Sequence, residues 1–218
     1  YDPDLYSSFV DHDPDRARRL LDDIGLTNRD DEGYRTFADG TRMTFDLAYS
    51  GDDTGIGPAE FVVDDWAQVG VRVTTRGESR TLFASRMAAY EHDFTCWSSN
   101  GNYPDLYPEA YVPLQGNPYA GGYAQWYAQG GMRQPIPAEL ARFAIEPPPG
   151  HPIRQAMELY ERYTAEVDPG RRRALFGEIL GIAAENIWSI GVLGLGPHPV
   201  VVKNELKNVP PHGYWGWD

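Results

Sequence analysis

One segment of the sequence combines aromatic rings, carboxamides, hydroxyls and a carboxylate within a few residues. It begins at Trp97 and ends at Tyr107. Flat rings bury a large area with few rotatable bonds, and carboxamides form directional hydrogen bonds, so these residue types suit non-covalent capture of a small solute. The side chains that we expect to contact the solute are Trp97, Asn100, Asn102, Tyr103 and Asp105.

A second group of rings follows in a stretch rich in Gly, Pro, Asn, Tyr and Gln between Asn100 and Gly150. A long irregular stretch inside a compact domain usually carries function. Tyr123 and Trp126 are therefore further solute-binding candidates. One alternative stays open for both groups, namely that the rings pack as a second core beneath a long loop.

Motifs for catalysis or cofactor binding are incomplete. Gly55-Ile56-Gly57 stands where a dinucleotide-binding loop would lie, but the third glycine of that motif is replaced by Glu60, which would repel a pyrophosphate. The five histidines are scattered, and no nucleophile elbow or phosphate loop is present. Cys96 is expected to be a small buried hydrophobe. We expect no cofactor and no catalytic residue.

An acidic turn imitates a calcium-binding loop of the EF-hand type. Its residues are Asn28, Asp30, Glu32, Gly33 and Asp39. The first ligand is an amide, and the last is Asp rather than the longer Glu that binds calcium through both oxygens. We therefore predict a solvated acidic turn and no metal site.

The composition limits the partners. With 19 Lys and Arg against 32 Asp and Glu, the formal net charge is −13, which disfavours nucleic acid and anionic membrane surfaces. No apolar run approaches the ~20 residues that cross a bilayer. The first residue, Tyr1, is not an initiator methionine and no signal peptide opens the chain, so we expect a fragment of a longer protein.

The elements that position the Trp97 segment alternate between strand and helix. Strand patterns are predicted at Met43–Tyr49, Val71–Thr75 and Phe94–Trp97. Helices are predicted from Pro58 to Gly70 and from Ser79 to Tyr90. The order β-α-β-α-β predicts a parallel sheet, in which ligands bind beyond the carboxyl ends of the strands. Trp97 lies at such an end.

Other elements flank this unit. Asp13-Pro14 and Asp168-Pro169 each combine an N-cap with a proline in the first turn, which predicts two helix starts, and Gly25 is expected to close the first of these helices. Periodic apolar residues predict a further helix from Ile153 to Val167. Strands are predicted at Ile187–Leu193 and Pro199–Lys203.

The order of local motifs resembles a known family, the extracytoplasmic solute-binding proteins of ABC importers of the oligopeptide, dipeptide and nickel type. The motifs that carry the resemblance are Asp13-Pro14-Asp15-Arg16-Ala17-Arg18-Arg19-Leu20-Leu21, Ala38-Asp39-Gly40, Trp66-Ala67-Gln68-Val69-Gly70-Val71-Arg72-Val73, Asp93-Phe94-Thr95-Cys96-Trp97, Asn102-Tyr103-Pro104-Asp105, and Val201 to Pro210. Each is weak alone, but together they span nearly the whole chain.

The resemblance implies an α/β fold, the lobe of a periplasmic-binding-protein-like architecture with a mostly parallel sheet and flanking helices. Residues 1–218 would form the C-terminal ligand-binding lobe, with the N-terminal lobe absent. It also implies a membrane ABC permease as partner and a periplasmic or extracellular location, with a lipoprotein anchor in some members. We expect a monomer that binds a solute without catalysis.

The resemblance leaves the solute open. In peptide-binding members an aspartate of this segment pairs with the amino terminus of the ligand, whereas here the residues are Asn100-Gly101-Asn102. A free amine would lose a charge-assisted hydrogen bond, on the order of 1.5–3 kcal/mol. We expect an oligopeptide-like solute, with an oligosaccharide as the alternative. Two other classes remain, a secreted hydrolase acting on sugars or peptides and an adaptor domain without a cleft.

Overall fold

A computed structural model of the protein describes residues 9–51, 56–97, 108–114, 119–139, 141–191 and 199–212. Six α-helices and three β-strands lie in these ranges. In chain order they are α1 (Pro14–Asp23), β1 (Thr44–Ser50), α2 (Ile56–Gln68), β2 (Arg72–Glu78), α3 (Arg80–Ala88), β3 (Phe94–Cys96), α4 (Gly121–Ala128), α5 (Pro152–Ala165) and α6 (Pro169–Asn186).

The three strands form a parallel sheet in the order β2-β1-β3, which confirms the predicted β-α-β-α-β unit. Side chains of a strand alternate between the two faces. One face carries Leu47 and Val73, which pack with Ala59 of α2 in a small core. The other face is partly covered by α3, whose Phe83 is only 2% exposed.

A second core joins the helices of the C-terminal part. Met157 of α5 and Ile179 of α6 are fully buried, and Val112 and Trp126 pack in the same cluster. This core receives apolar side chains from segments far apart in sequence, so it fixes α4 against the α5–α6 pair.

The predicted helix starts are confirmed. The carboxylate of Asp13 accepts a hydrogen bond from the backbone N–H of Arg16, and Asp168 accepts one from the N–H of Arg171, both at 2.8 Å. Each cap is followed directly by proline, whose fixed φ suits the first turn of a helix. Gly25 follows α1 with φ of +90°, a conformation that favours glycine.

Arg35 joins the ends of the first two helices. Its side chain is fully buried and donates to the backbone oxygens of Val69 and Leu26 and to the carboxylate of Asp22. These carbonyls lie just beyond the ends of α1 and α2, where helices leave carbonyls without an internal partner. A single guanidinium therefore closes two helix ends.

Two parts of the sequence-based prediction are wrong. The first is the stretch between Asn100 and Gly150, predicted to be irregular, which contains α4. The helix has two glycines at its start, a composition that disfavours helix, and tertiary packing of Ala124 and Trp126 stabilises it.

The second error concerns the two C-terminal strands. Residues 187–191 and 199–203 form no strand, and residues 192–198 lie outside the described residues. Ile187 instead has a left-handed backbone, with φ of 49°, that ends α6. Val201 is 96% exposed. A strand needs a neighbour for its backbone groups, and no described segment pairs with these residues. Within the described ranges, none of the helices has the length and apolar character needed to cross a bilayer.

Candidate functional site

The carboxyl ends of the three parallel strands lie at one edge of the sheet. β1 ends at Ser50, β2 at Glu78 and β3 at Cys96. Ser50 and Glu78 are partners in the register, and Tyr49 pairs with Cys96. Trp97 follows β3 directly, so the sheet places it at the edge where ligands bind in open parallel sheets.

The indole of Trp97 contacts two side chains of α3. Its ring stacks on Phe83, with 5.2 Å between centroids and 8° between planes. The guanidinium carbon of Arg80 lies 5.3 Å from the centroid of the indole. Trp97 remains 37% exposed. A ring that is supported by the core yet still accessible can bury apolar solute surface with little loss of side-chain freedom.

Sequence reasoning missed the two residues that support Trp97. Arg80 and Phe83 are three residues apart on one helix, a spacing that places their side chains on the same face. The signal was available, because α3 follows a strand and its start faces the carboxyl edge. The sequence does not predict that this face of the helix contacts Trp97.

Charged side chains of β1, β2 and α3 form a connected network. Arg76 contacts Asp46 at 2.6 Å and Glu78 at 3.6 Å. Glu78, whose side chain is 4% exposed, also pairs with Arg86. Because a buried charge needs a partner, the two arginines stabilise Glu78 in its place. Each of the two carboxylates is thus matched by arginine, and these described residues do not form the pair of facing, unpaired carboxylates of a hydrolase.

Four of the predicted solute-binding residues lie outside the described residues. They are Asn100, Asn102, Tyr103 and Asp105. Of the five candidates in this segment, Trp97 therefore lies within the described residues, and its surroundings are the ones given above.

The two candidates on α4 pack in the helical core (Trp126) or against it (Tyr123). The ring of Tyr123 is 5.4 Å from that of His151 in an edge-to-face arrangement. Trp126 is only 5% exposed, with Arg154 5.3 Å from its ring centroid. Trp126 is also one of the residues that line an open depression of about 460 Å³. The burial of Trp126 agrees with the alternative left open from the sequence, that this ring packs in a second core.

The negative charge of the acidic turn is partly balanced by one arginine. The carboxylate of Asp30 accepts hydrogen bonds at 3.0 Å from the backbone N–H groups of Glu32 and Tyr34, and Arg42 pairs with both Asp30 and Glu32. Burial opposes ionisation of Asp30, but these hydrogen bonds outweigh it and lower its pKa. The pKa of Glu32 is lowered by its hydrogen bond with Arg42. Within the described ranges, no three His, Cys, Asp or Glu side chains gather as metal ligands.

Comparison with known families gives the identity of the chain. The model of the bacterial extracellular solute-binding proteins, family 5 (middle region), matches residues 1–120, more than half of the 218 residues. The chain belongs to this family. Among curated proteins, none matches the sequence.

Solved structures of family 5 and related proteins share the fold. An oligopeptide-binding protein, OppA, is 27% identical over 86% of this chain, with a TM-score of 0.73. NikA from Brucella suis, solved with Fe(III)-EDTA, is 20% identical over 81% of the chain, with a TM-score of 0.57. The periplasmic binding protein MelB from Agrobacterium fabrum C58, solved with stachyose, is 14% identical over 88%, with a TM-score of 0.65.

The matched region is a fraction of each relative. The chain covers 30% of OppA, 31% of NikA and 27% of MelB. It therefore spans about a third of the length of these solute-binding proteins.

Proposed function

We propose that this chain forms the C-terminal ligand-binding lobe of the solute-binding component of an ABC importer, and that it captures an oligopeptide-like solute outside the cytoplasmic membrane. Family membership and the 27% identity with an oligopeptide-binding protein support this role. The observation that carries it is the half-buried Trp97, stacked on Phe83 at the carboxyl edge of the sheet.

The proposed mechanism is capture without covalent chemistry. Trp97 and Tyr103 supply apolar faces, while Asn100, Asn102 and Asp105 position the polar groups of the solute. Tyr123 and Trp126 are the weaker candidates because both pack in or against the helical core. Capture by two closing lobes buries polar groups of the solute, and each of them then needs a hydrogen-bond partner.

The proposed partner is a membrane ABC permease, which would receive the closed, solute-loaded protein. We propose a monomer located in the periplasm or outside the cell, with a lipid anchor as a further option for membrane attachment. These properties would belong to the whole protein, of which the described lobe is one part.

A second solute class, an oligosaccharide, is favoured by one observation. Asn100 and Asn102 stand where peptide-binding members are expected to carry a carboxylate. Carboxamides hydrogen-bond uncharged hydroxyls, and aromatic rings stack on sugar rings, so this composition suits a neutral solute. The structure of MelB with stachyose shows that a protein of similar fold binds an oligosaccharide.

The test is a calorimetric titration of the full-length protein with a panel of peptides and a panel of oligosaccharides. We expect heat of binding with peptides, and we expect Trp97→Ala to weaken that binding at least about tenfold, through the loss of a large aromatic contact. Trp66→Phe is the matched control, because Trp66 packs on the opposite face of the same sheet, against Phe45 and Phe94.

The outcomes separate the alternatives. Binding of sugars but not peptides would replace the first choice of solute with the second. Binding of neither panel would contradict the capture role, and turnover of a chromogenic sugar or peptide substrate would favour the hydrolase. Equal binding by wild type and Trp97→Ala would remove Trp97 from the site.

A further inference from the structure

Three buried polar atoms at the carboxyl edge lack a hydrogen-bond partner among the described residues. They are Ser50 Oγ, Arg76 Nε and Glu78 Oε2. Other atoms of two of these side chains are engaged, since Arg76 pairs with Asp46 and Glu78 Oε1 pairs with Arg86. Arg76 and Glu78 are therefore held in place by their ion pairs, while one polar atom of each, and the hydroxyl of Ser50, lack a partner.

The three atoms belong to one face of the sheet. Ser50 and Glu78 are direct partners in the parallel register. Arg76 precedes Glu78 by two positions, so its side chain leaves the strand on the same face. Neighbouring strands lie about 4.8 Å apart, a separation that one small molecule between two polar groups can span. The Nε of Arg76 lies 3.6 Å from Oε1 of Glu78, so these two groups are already neighbours.

The chemistry of the three atoms restricts what fits between them. Arg76 Nε–H can only donate, the ionised carboxylate oxygen can only accept, and the hydroxyl of Ser50 can do both. A metal cation cannot accept the hydrogen bond from Arg76 and is repelled by Arg76 and Arg86. A halide cannot donate to Glu78. A neutral molecule that both accepts and donates satisfies all three atoms, and water is the smallest.

We propose that Ser50, Arg76 and Glu78 hold one buried water molecule between the ends of β1 and β2. Buried waters in proteins typically make about three hydrogen bonds to polar groups that otherwise lack partners. Through Glu78 the water would hold Arg86 of α3, the helix that also carries Phe83 beneath Trp97. The inference concerns the lobe itself and does not depend on which solute the protein binds.

The direct test is a crystal structure of the full-length protein, in which ordered waters are visible. We expect a water at about 2.7–3.2 Å from each of the three atoms. A direct hydrogen bond between Ser50 Oγ and Glu78 Oε2, or the absence of a peak between the three atoms, would overturn the proposal.

Two substitutions test the same point in solution. Ser50→Val fills the space of the water and leaves Arg76 Nε and Glu78 Oε2 unmatched, so the folding equilibrium constant should fall at least about tenfold. Ser50→Ala keeps the space, so the water retains two partners and the fall should be smaller. Thr44→Val, at the exposed start of the same strand, is the control, because it exchanges a hydroxyl for a methyl group where no water is proposed.

Two stability results for the Ser50 variants would contradict the proposal. Val is a better strand former than Ser, so Ser50→Val should match or exceed the wild type in stability if the three atoms hold no water. If the folding equilibrium constant fell equally in Ser50→Ala and Ser50→Val, the loss of stability would come from the missing hydroxyl alone, and the proposal would be overturned. If Ser50→Val fails to fold, the crystal structure of the wild type decides.

Discussion

The ring of Tyr90 lies directly against the backbone of Gly121, so that a Cβ atom at position 121 would overlap the ring. Tyr90 follows α3, and Gly121 opens α4. The ring also lies 6.4 Å from Phe143, edge to face, and burial raises the pKa of the Tyr90 hydroxyl, which is hydrogen-bonded to Gln125. One side chain thus joins the sheet to the helical part of the chain.

The backbone of Tyr90 is consistent with this role. Its φ is +60°, a left-handed conformation that is uncommon for a bulky residue and costs of order 1–3 kcal/mol. Such a conformation persists when the surroundings determine it, and here the ring is held by Gly121 and Phe143. The contact therefore compensates for local strain at the end of α3.

We predict that Gly121→Ala destabilises the protein. The added methyl group overlaps the Tyr90 ring, and overpacking of this kind typically costs about 1–3 kcal/mol. Urea unfolding followed by circular dichroism gives the free energy of unfolding. Gly177→Ala is the matched control, since Gly177 lies inside α6 with open space around the position of a Cβ, and alanine there should add about 0.5–1 kcal/mol. A neutral Gly121→Ala would show that the helical part is not fixed by this contact.

The elements that the sequence predicts correctly are those with local signals. The β-α-β-α-β unit follows from apolar periodicity, and the starts of α1 and α6 follow from Asp-Pro pairs that cap and open a helix. Each of these signals is contained within a single element, so it needs no knowledge of the rest of the fold.

The elements that the sequence misses depend on tertiary contacts. α4 opens with Gly121 and Gly122, and it forms because Trp126 enters the core and because Gly121 accepts the ring of Tyr90. The apolar residues 199–203 predict a strand, yet a strand exists only where another segment pairs with it. In the first case the decisive contacts come from residues distant in sequence, and in the second no described segment supplies a partner.

In the candidate site, too, some features could be predicted from local sequence and others depend on tertiary contacts. The position of Trp97 at a strand end was predictable, because the parallel order fixes which ends share an edge. Its stacking on Phe83 and its contact with Arg80 were not, since they depend on how α3 lies across the sheet. For Trp126 the sequence left two roles open, solute contact and core packing, and only the fold shows that the ring is 5% exposed.

A second prediction concerns pH. Hydrogen bonds from Arg133 and Tyr127, at 2.8 and 2.6 Å, lower the pKa of Glu161. The stabilisation that results is fully present above the pKa of an unfolded Glu, about 4.3, and is lost as the pH falls through the lower pKa of the folded protein. We expect Glu161→Gln to reduce the difference in unfolding free energy between pH 7 and about pH 3, measured by urea unfolding at both pH values.

The control for this prediction is Tyr127→Phe. It removes one of the two donors and leaves Arg133 in place, so the reduction in pH dependence should be smaller than that of Glu161→Gln. An unchanged pH dependence in Glu161→Gln would show that other carboxylates account for the loss of stability in acid.

A third prediction concerns the start of α6. The carboxylate of Asp168 accepts a hydrogen bond from the backbone N–H of Arg171 at 2.8 Å, and removal of an N-cap costs about 0.5–2 kcal/mol. We expect Asp168→Ala to lower the free energy of unfolding by this amount, whereas Asp168→Asn should lose much less, since asparagine also caps helices. Equal losses in both variants would indicate that the charge of Asp168, rather than its hydrogen bond, stabilises α6.

A final prediction separates contact with the solute from support of the contact. Phe83 is 2% exposed and lies beneath the indole of Trp97, so Phe83→Leu should remove a stacked pair worth about 0.5–1.5 kcal/mol while keeping an apolar side chain in the core. If a rigid Trp97 is what binds the solute, the affinity of the full-length protein should fall by a few-fold, less than in Trp97→Ala, because the indole is still present but is held less firmly. Calorimetry measures the affinity, and Leu82→Ala, at a 45% exposed position next to Phe83, serves as the control. Wild-type affinity in Phe83→Leu, together with lost binding in Trp97→Ala, would show that Trp97 binds the solute without needing this support.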